Sequence, residues 1–266
     1  MDLLQANVKH CYFRYLRAAF GSALISSVYS MVDMAMVGQY QGPDGTAALA
    51  VVAPVWNIIY SLGLLAGIGG CVLGSAAKGR GDERTKNEYF TAACICAGVL
   101  AAASWAAVLL WQTPMLRAFG ADGTLLSIAR QYLQPIRFAV PLFLINQMLA
   151  AWLRNDGAPG LATAAVLAGG VFNIFGDYAF VFLLDTGAWG AGLATALGAA
   201  ISFAVMLGHF FSKKNTLRLV RPARLAGKLR QIVTAGFSTF FIDIAMGLLT
   251  MLFNRQIMRW LGADAL

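Results

Sequence analysis

Charge is what this sequence has least of. Only 12% of its 266 residues are Asp, Glu, Lys or Arg, against about 25% in an ordinary soluble domain. Hydrophobic residues make up 59% and the mean hydropathy is +0.67, which excludes a soluble globular enzyme. Histidine is nearly absent, with His10 and His209 alone, and the four cysteines (Cys11, Cys71, Cys94, Cys96) lie inside apolar runs. That pattern argues against a metal centre or a disulfide framework and for small, lipid-compatible helix residues. A P-loop signature and an H-E-x-x-H pair are both missing, and no polar stretch is long enough for a nucleotide-binding domain. No cofactor is therefore expected, and work done on a solute has to draw on an ion gradient. The apolar stretch that follows the basic start is too long for a signal peptide and ends without a small-residue cleavage pattern, so it reads as a retained first span.

What is abundant is apolar helix. A bilayer crossing takes about 20 apolar residues, and windows bounded by charge or turn residues fall at about 16–38, 47–77, 89–112, 126–153, 159–184, 190–212 and 231–259. The basic residues then sort by loop. Fifteen of the twenty lie at the N-terminus (Lys9, Arg14, Arg17), in the second loop (Lys78, Arg80, Arg84, Lys86), at Arg154, and in a linker at 213–230 that alone carries seven. The alternate loops hold only Arg117. In a soluble protein the basic excess would suggest nucleic acid; here it follows membrane topology and predicts a cytoplasmic N-terminus and an external C-terminus.

Many of the 28 glycines lie within the spans: Gly63, Gly67, Gly70 and Gly74 on the second, Gly169, Gly170 and Gly176 on the fifth, Gly190, Gly192 and Gly198 on the sixth. Lipid gives apolar surfaces no reason to leave it, so helices associate where small residues let backbones approach. The expectation is an all-α, polytopic, packed bundle.

Three carboxylates fall within spans: Asp33, Asp177 and Asp243. A charge at membrane depth costs several kcal/mol unless it is paired, protonated or faces water, which makes each a functional candidate. At about 1.5 Å of rise per residue, Asp33 and Asp177 both come out some 25 Å from the cytoplasmic ends of their helices. Asn173 lies one turn before Asp177 on the same face, and Thr195 descends to nearly the same level. Asp33, Asn173, Asp177 and Thr195 thus predict one oxygen-rich pocket. Two neighbouring carboxylates disfavour double ionisation, so such a pair can load and release a proton or hold a monovalent cation. The alternative is that each Asp simply bonds a neighbouring helix.

Secondary candidates are Arg137, as a counter-ion to either carboxylate or as a snorkelling or structural residue, and Asn146, whose depth places it outside the Asp pocket. Asp243 suits either a substrate cation or an interhelical hydrogen bond. Pro54, Pro135 and Pro141 break backbone bonding within spans, as transport helices and passive kinks both do.

Four segments, SMVDMAMVGQY (30–40), GIGGCVLGSAAKGRGD (67–82), LRNDGAPGLATAAVLAGGVFNIFGDYAFVF (153–182) and GAWGAGLATALGAA (187–200), resemble the multidrug and toxic compound extrusion (MATE) family, most closely its bacterial multidrug-efflux members. The resemblance implies a cation-coupled antiporter, driven by protons or sodium, that exports drugs and other organic cations. It further implies two six-helix bundles around a cleft open alternately to each side, in the cell membrane. The family's ion site maps onto Asp33, Asn173, Asp177 and Thr195, and its occasional acidic residue on the seventh helix onto Asp243. Many relatives carry a proline near the start of the first helix; Arg17–Gly21 has none.

The family has twelve helices, whereas seven are read here: a bundle at 1–212, a basic cytoplasmic linker at 213–230, and the first helix of an incomplete second bundle at 231–266. A shift of 217 residues lays Phe20, Ile25, Met34, Gln39, Gly45, Ala48 and Leu49 on Phe237, Ile242, Met251, Gln256, Gly262, Ala265 and Leu266, in keeping with a second repeat that has begun. The chain reads as part of a twelve-helix protein, its second wall coming from a missing C-terminal bundle or from a homo-oligomer. Two alternatives stand beside this: a lipid-linked-precursor flippase of related architecture, and a truncated product that transports nothing.

Overall fold

The computed structural model describes residues 8–261; the Ala265–Leu266 end of the internal comparison and the side chains of His10, Cys11, Arg14 and Ser26 lie outside the described residues. Eight α-helices follow one another: α1 (Val8–Gln41), α2 (Pro43–Gly79), α3 (Glu83–Ala118), α4 (Gly123–Ile136), α5 (Val140–Asn155), α6 (Pro159–Asp177), α7 (Gly187–Leu207) and α8 (Leu225–Leu261). No strand occurs among the described residues. Six helices are long and apolar enough to cross a bilayer, or seven crossings if α4 and α5 count as one broken span, in agreement with the polytopic helical fold expected.

That broken span departs from the continuous helix expected at 126–153. α4 and α5 meet at an angle of 62°. Pro135 sits in the last turn of α4 and Pro141 in the first turn of α5. Each lacks a backbone donor, tolerable at a helix start but disruptive inside one. Residues 137–139 turn between them. Pro114 acts similarly in α3, which runs beyond the expected 112 by kinking at Trp111, where φ is −120°. Asp82 caps α3 by accepting from the Thr85 amide at 2.9 Å, and bonds from Thr85 hold its carboxyl below the usual carboxylate range.

The small-residue seams are where helices meet. A Cβ on Gly63 would lie 2.6 Å from the Leu144 carbonyl oxygen and one on Gly67 2.9 Å from the Met148 Cα, so α2 and α5 touch backbone to backbone. Two turns on, the fully buried Trp152 ring fills the notch left by Gly70 and Gly74 and meets Phe90 edge-on, centroids 5.2 Å apart. On the opposite flank α2 crosses α8 where Gly69 faces Ile232 and Gly236 faces Leu65.

The loops segregate to two ends. At one, Tyr40 at the close of α1 donates to Asp185 in the α6–α7 turn at 2.6 Å. At the other, the Tyr15 hydroxyl donates to the Arg154 carbonyl, and the linker lies along the first turns of α3. There Asp156 accepts from the Thr216 amide (3.0 Å) and hydroxyl and pairs with His209 at 2.8 Å. Lys86 donates to the Thr216 hydroxyl at 2.7 Å and also pairs with Glu83. The amides of Arg218, Val220 and Ala223 are held by Asn87, Thr91 and Glu88. This basic end therefore gathers the loops that carry most of the positive charge. Residues 225–230, placed in the linker on charge, form the opening turns of α8.

Candidate functional site

Four helices converge on the carboxylates. Asn173 and Asp177 occupy the last turns of α6, and the Asn173 amide donates to Asp177 Oδ1 at 3.3 Å. Beyond Asp177 the helix widens into a π-helical stretch, Tyr178–Leu183, a distortion found mostly at functional sites. The same Asn173 amide donates to Thr195 Oγ1 on α7 at 3.1 Å. α6 and α7 come this close because Gly169 and Gly198 face each other: a Cβ on Gly198 would lie 2.7 Å from the Gly169 carbonyl oxygen. Asp33 enters from α1, and Tyr132 of α4 donates its hydroxyl to Asp33 Oδ2. The two carboxyls lie within Coulombic reach of one another.

All but Thr195 are buried: Asp177 is 0% exposed, Asn173 2%, Tyr132 4% and Asp33 7%. Even so, Asp33 Oδ1, Asp177 Oδ2 and Asn173 Oδ1 have no hydrogen-bond partner. Burying one such acceptor unpaired costs about 1–3 kcal/mol, more when it is charged. Three such acceptors gathered in one place are not accounted for by helix-to-helix bonding among these residues. The surplus is of oxygen acceptors, the donor set for protons or a hard monovalent cation. Among the described residues no cluster of three His, Cys, Asp or Glu fit to hold a metal occurs elsewhere either.

Next to the cluster lies a cavity of about 380 Å³ between α1, α2, α5, α6 and α7. Asn173 and Thr195 line one end of it and Arg154 and Met206 the other. Asn146 lines it too, its amide donating to the Ala199 carbonyl at 2.9 Å, one turn of α7 beyond Thr195. The depth estimate that set Asn146 apart assumed a straight helix over 126–153, and the 62° break invalidates it.

The other secondary candidates stay out of the cluster. Arg137 stands at the α4–α5 break with its guanidinium 4.9 Å from the Phe138 ring centroid, and among the described residues it pairs with neither Asp33 nor Asp177. Asp243 is half-buried on α8, which contributes nothing to the cavity, and its carboxyl bonds no described residue. Tyr132 is the member that sequence reasoning missed. Its partner is 99 residues away, and a single phenol in an apolar window reads as an interfacial aromatic. The one local clue is Gly192 on α7, which packs on the Tyr132 carbonyl one turn from Thr195.

Proteins of similar sequence are multidrug export proteins named MepA: one from Staphylococcus saprophyticus is 25% identical over 237 residues, and one from Staphylococcus aureus 24% identical over 236. Each alignment takes in 87% of this chain and 52% of the relative, so the chain spans about half the length of the curated relatives it matches. Among solved structures, a MATE protein in a bent conformation superposes with a TM-score of 0.85 at 21% identity, covering 99% of this chain and 60% of that one. An inward-facing multidrug-resistance MATE transporter gives 0.82 at 20% identity, covering 89% and 55%. At these identities the structures speak for the fold alone. The MatE family pattern matches residues 18–179, more than half of the sequence and most of the bundle just described. The chain belongs to the MatE family.

Proposed function

We propose that this chain forms the ion-binding half of a cation-coupled exporter of drugs and other organic cations. Asp33, Tyr132, Asn173, Asp177 and Thr195 hold the coupling proton or sodium ion. The observation that carries this reading is the buried group of three unpartnered oxygens, on Asp33, Asp177 and Asn173, bound through Asn173 to Thr195. Such a group changes its interactions when a cation arrives, and that differential binding is what an ion needs in order to bias one conformation over another. Relatives that are multidrug export proteins support drugs as cargo. The basic end faces the cytoplasm, in line with the positive-inside bias. The second wall of the transport cleft comes from a C-terminal bundle opened by α8, in line with relatives about twice as long, or from a second copy of the chain.

The test is ethidium efflux from bacteria that lack their own pumps, expressing these 266 residues beside a form extended by any downstream reading frame. Efflux is expected from the extended form and is expected to be lost with Asp177→Asn. Fully coupled efflux by Asp33→Asn or Asp177→Asn would remove the site assignment. Efflux by the short chain would favour the second-copy arrangement.

A further inference from the structure

The cavity runs from the Asn173–Thr195 edge of the ion cluster toward the basic end, and its walls have a consistent chemistry. Along α5 the lining residues Phe143, Asn146, Ala150 and Arg154, and along α7 Thr195, Ala199, Ser202 and Met206, each keep one helical face over eleven residues, about 16 Å. Inside this passage the buried, unpartnered polar atoms near the carboxyls are oxygens. Asn146, 7% exposed, spends its amide on the Ala199 carbonyl, which leaves Oδ1 without a partner; Asn173 Oδ1 is in the same condition. The two asparagines stand one turn apart measured along α7, through Thr195 and Ala199. At the basic end the charge changes sign. Arg154, the one charged side chain that lines the cavity among the described residues, donates to Ser22 at 3.4 Å, has its Nε buried and unpartnered, and pairs with no described carboxylate. Asp156 nearby is taken up by His209 and Thr216.

We propose that this cavity is the passage by which a monovalent cation moves between the Asp33–Asp177 cluster and the basic end, with Asn146 as an intermediate ligand and Arg154 as a fixed charge that slows entry. The proposal rests on the cation-coupled reading above. Oxygen ligands spaced a turn apart offer successive partial replacements for a hydration shell. A positive charge at the mouth lowers the rate at which cations enter from the basic end.

Silver ion, a thiol-reactive monovalent cation, tests this directly. The background chain has Cys11, Cys71, Cys94 and Cys96 replaced by serine or alanine, and carries either Ser202→Cys on the near side of Asn146 or Phe143→Cys beyond it. Silver nitrate is added from the basic end in chloride-free vesicles, and reaction is read as lost maleimide labelling. Both cysteines are expected to react. Arg154→Gln is expected to speed both several-fold, because it removes a unit charge from the mouth that every cation entering from the basic end must pass. Asn146→Leu is expected to slow Phe143→Cys while sparing Ser202→Cys. An unreactive Phe143→Cys, or an Arg154→Gln rate equal to the parent's, would overturn the proposal. Reaction of Phe143→Cys with an anionic sulfonate reagent but not with silver would overturn it in favour of an anion pocket. Sodium or acid is expected to slow silver at Phe143→Cys only while Asp33 and Asp177 are intact. Open access without that protection would strike the coupling site and leave the passage standing.

Discussion

Tyr132 of α4 donates its hydroxyl to the carboxylate of Asp33 on α1, tying the half-span before the 62° break to the helix that carries one of the two buried carboxylates. The other oxygen of Asp33 has no partner. A hydrogen bond to a charged group is worth about 1.5–3 kcal/mol. Tyr132→Phe keeps the ring and removes that bond, so it is expected to destabilise the chain by about that amount, read as a lower unfolding midpoint in detergent. It is also expected to weaken efflux by the extended form. No change in either measurement would mean that the phenol does not hold Asp33.

Of the roles open to Arg137 from the sequence, counter-ion, snorkelling or structural, the first finds no ion pair among the described residues. Its guanidinium lies over Phe138 and reaches neither carboxylate. Arg137→Gln is therefore expected to leave ethidium efflux within about twofold of the parent, a difference well under 1 kcal/mol at tenfold per 1.4 kcal/mol. An Arg137→Gln defect as severe as that of Asp177→Asn would restore the pairing.

Glycines at crossings and glycines facing lipid should behave oppositely. A Cβ on Gly192 would collide with the Tyr132 carbonyl and one on Gly236 with the Leu65 backbone, whereas nothing lies within 4 Å of one on Gly98. Gly192→Val and Gly236→Val are expected to cost about 1–3 kcal/mol or more through overpacking. Gly98→Ala, in the middle of α3, is expected to gain up to about 1 kcal/mol from helix propensity. Thermal unfolding of the three variants in one detergent checks the contrast.

The linker is fastened through Thr216, which donates to Asp156 and accepts from Lys86, a side chain with 1% exposure. Thr216→Val removes both bonds and leaves the Lys86 ammonium short of an acceptor. Tryptic cleavage after the exposed Lys214 and Arg218 is expected to accelerate about fivefold or more, an opening free energy falling by at least about 1 kcal/mol. An unchanged cleavage rate would show that the linker's backbone contacts to Asp156, Lys86, Asn87, Thr91 and Glu88 hold it without the Thr216 hydroxyl.

The spans, the glycine seams and the pairing of Asn173 with Asp177 were legible because each rests on local spacing: apolar length, small residues three or four apart, and a one-turn offset; Thr195 joined them by its depth along the next helix. What escaped depends on direction change. Pro135 and Pro141 marked a weak point but not its angle, and without the angle neither the Arg137 position nor the level of Asn146 can be computed. Tyr132 escaped for a related reason, since its role exists only across the α1–α4 contact. The strapping of the linker onto α3 was equally hidden, because backbone amides held by distant side chains leave no periodic trace.

The meeting of Gly169 and Gly198 carries a consequence for discrimination between ions. Asn173 lies four residues after one glycine and Thr195 three before the other, so their spacing is set by main chain pressed on main chain. Rotamer changes alone cannot widen that gap to admit a larger guest. Size preference and charge preference at this location are then separately inherited properties, the first written in two residues that have no side chain at all and the second in the carboxylates beside them.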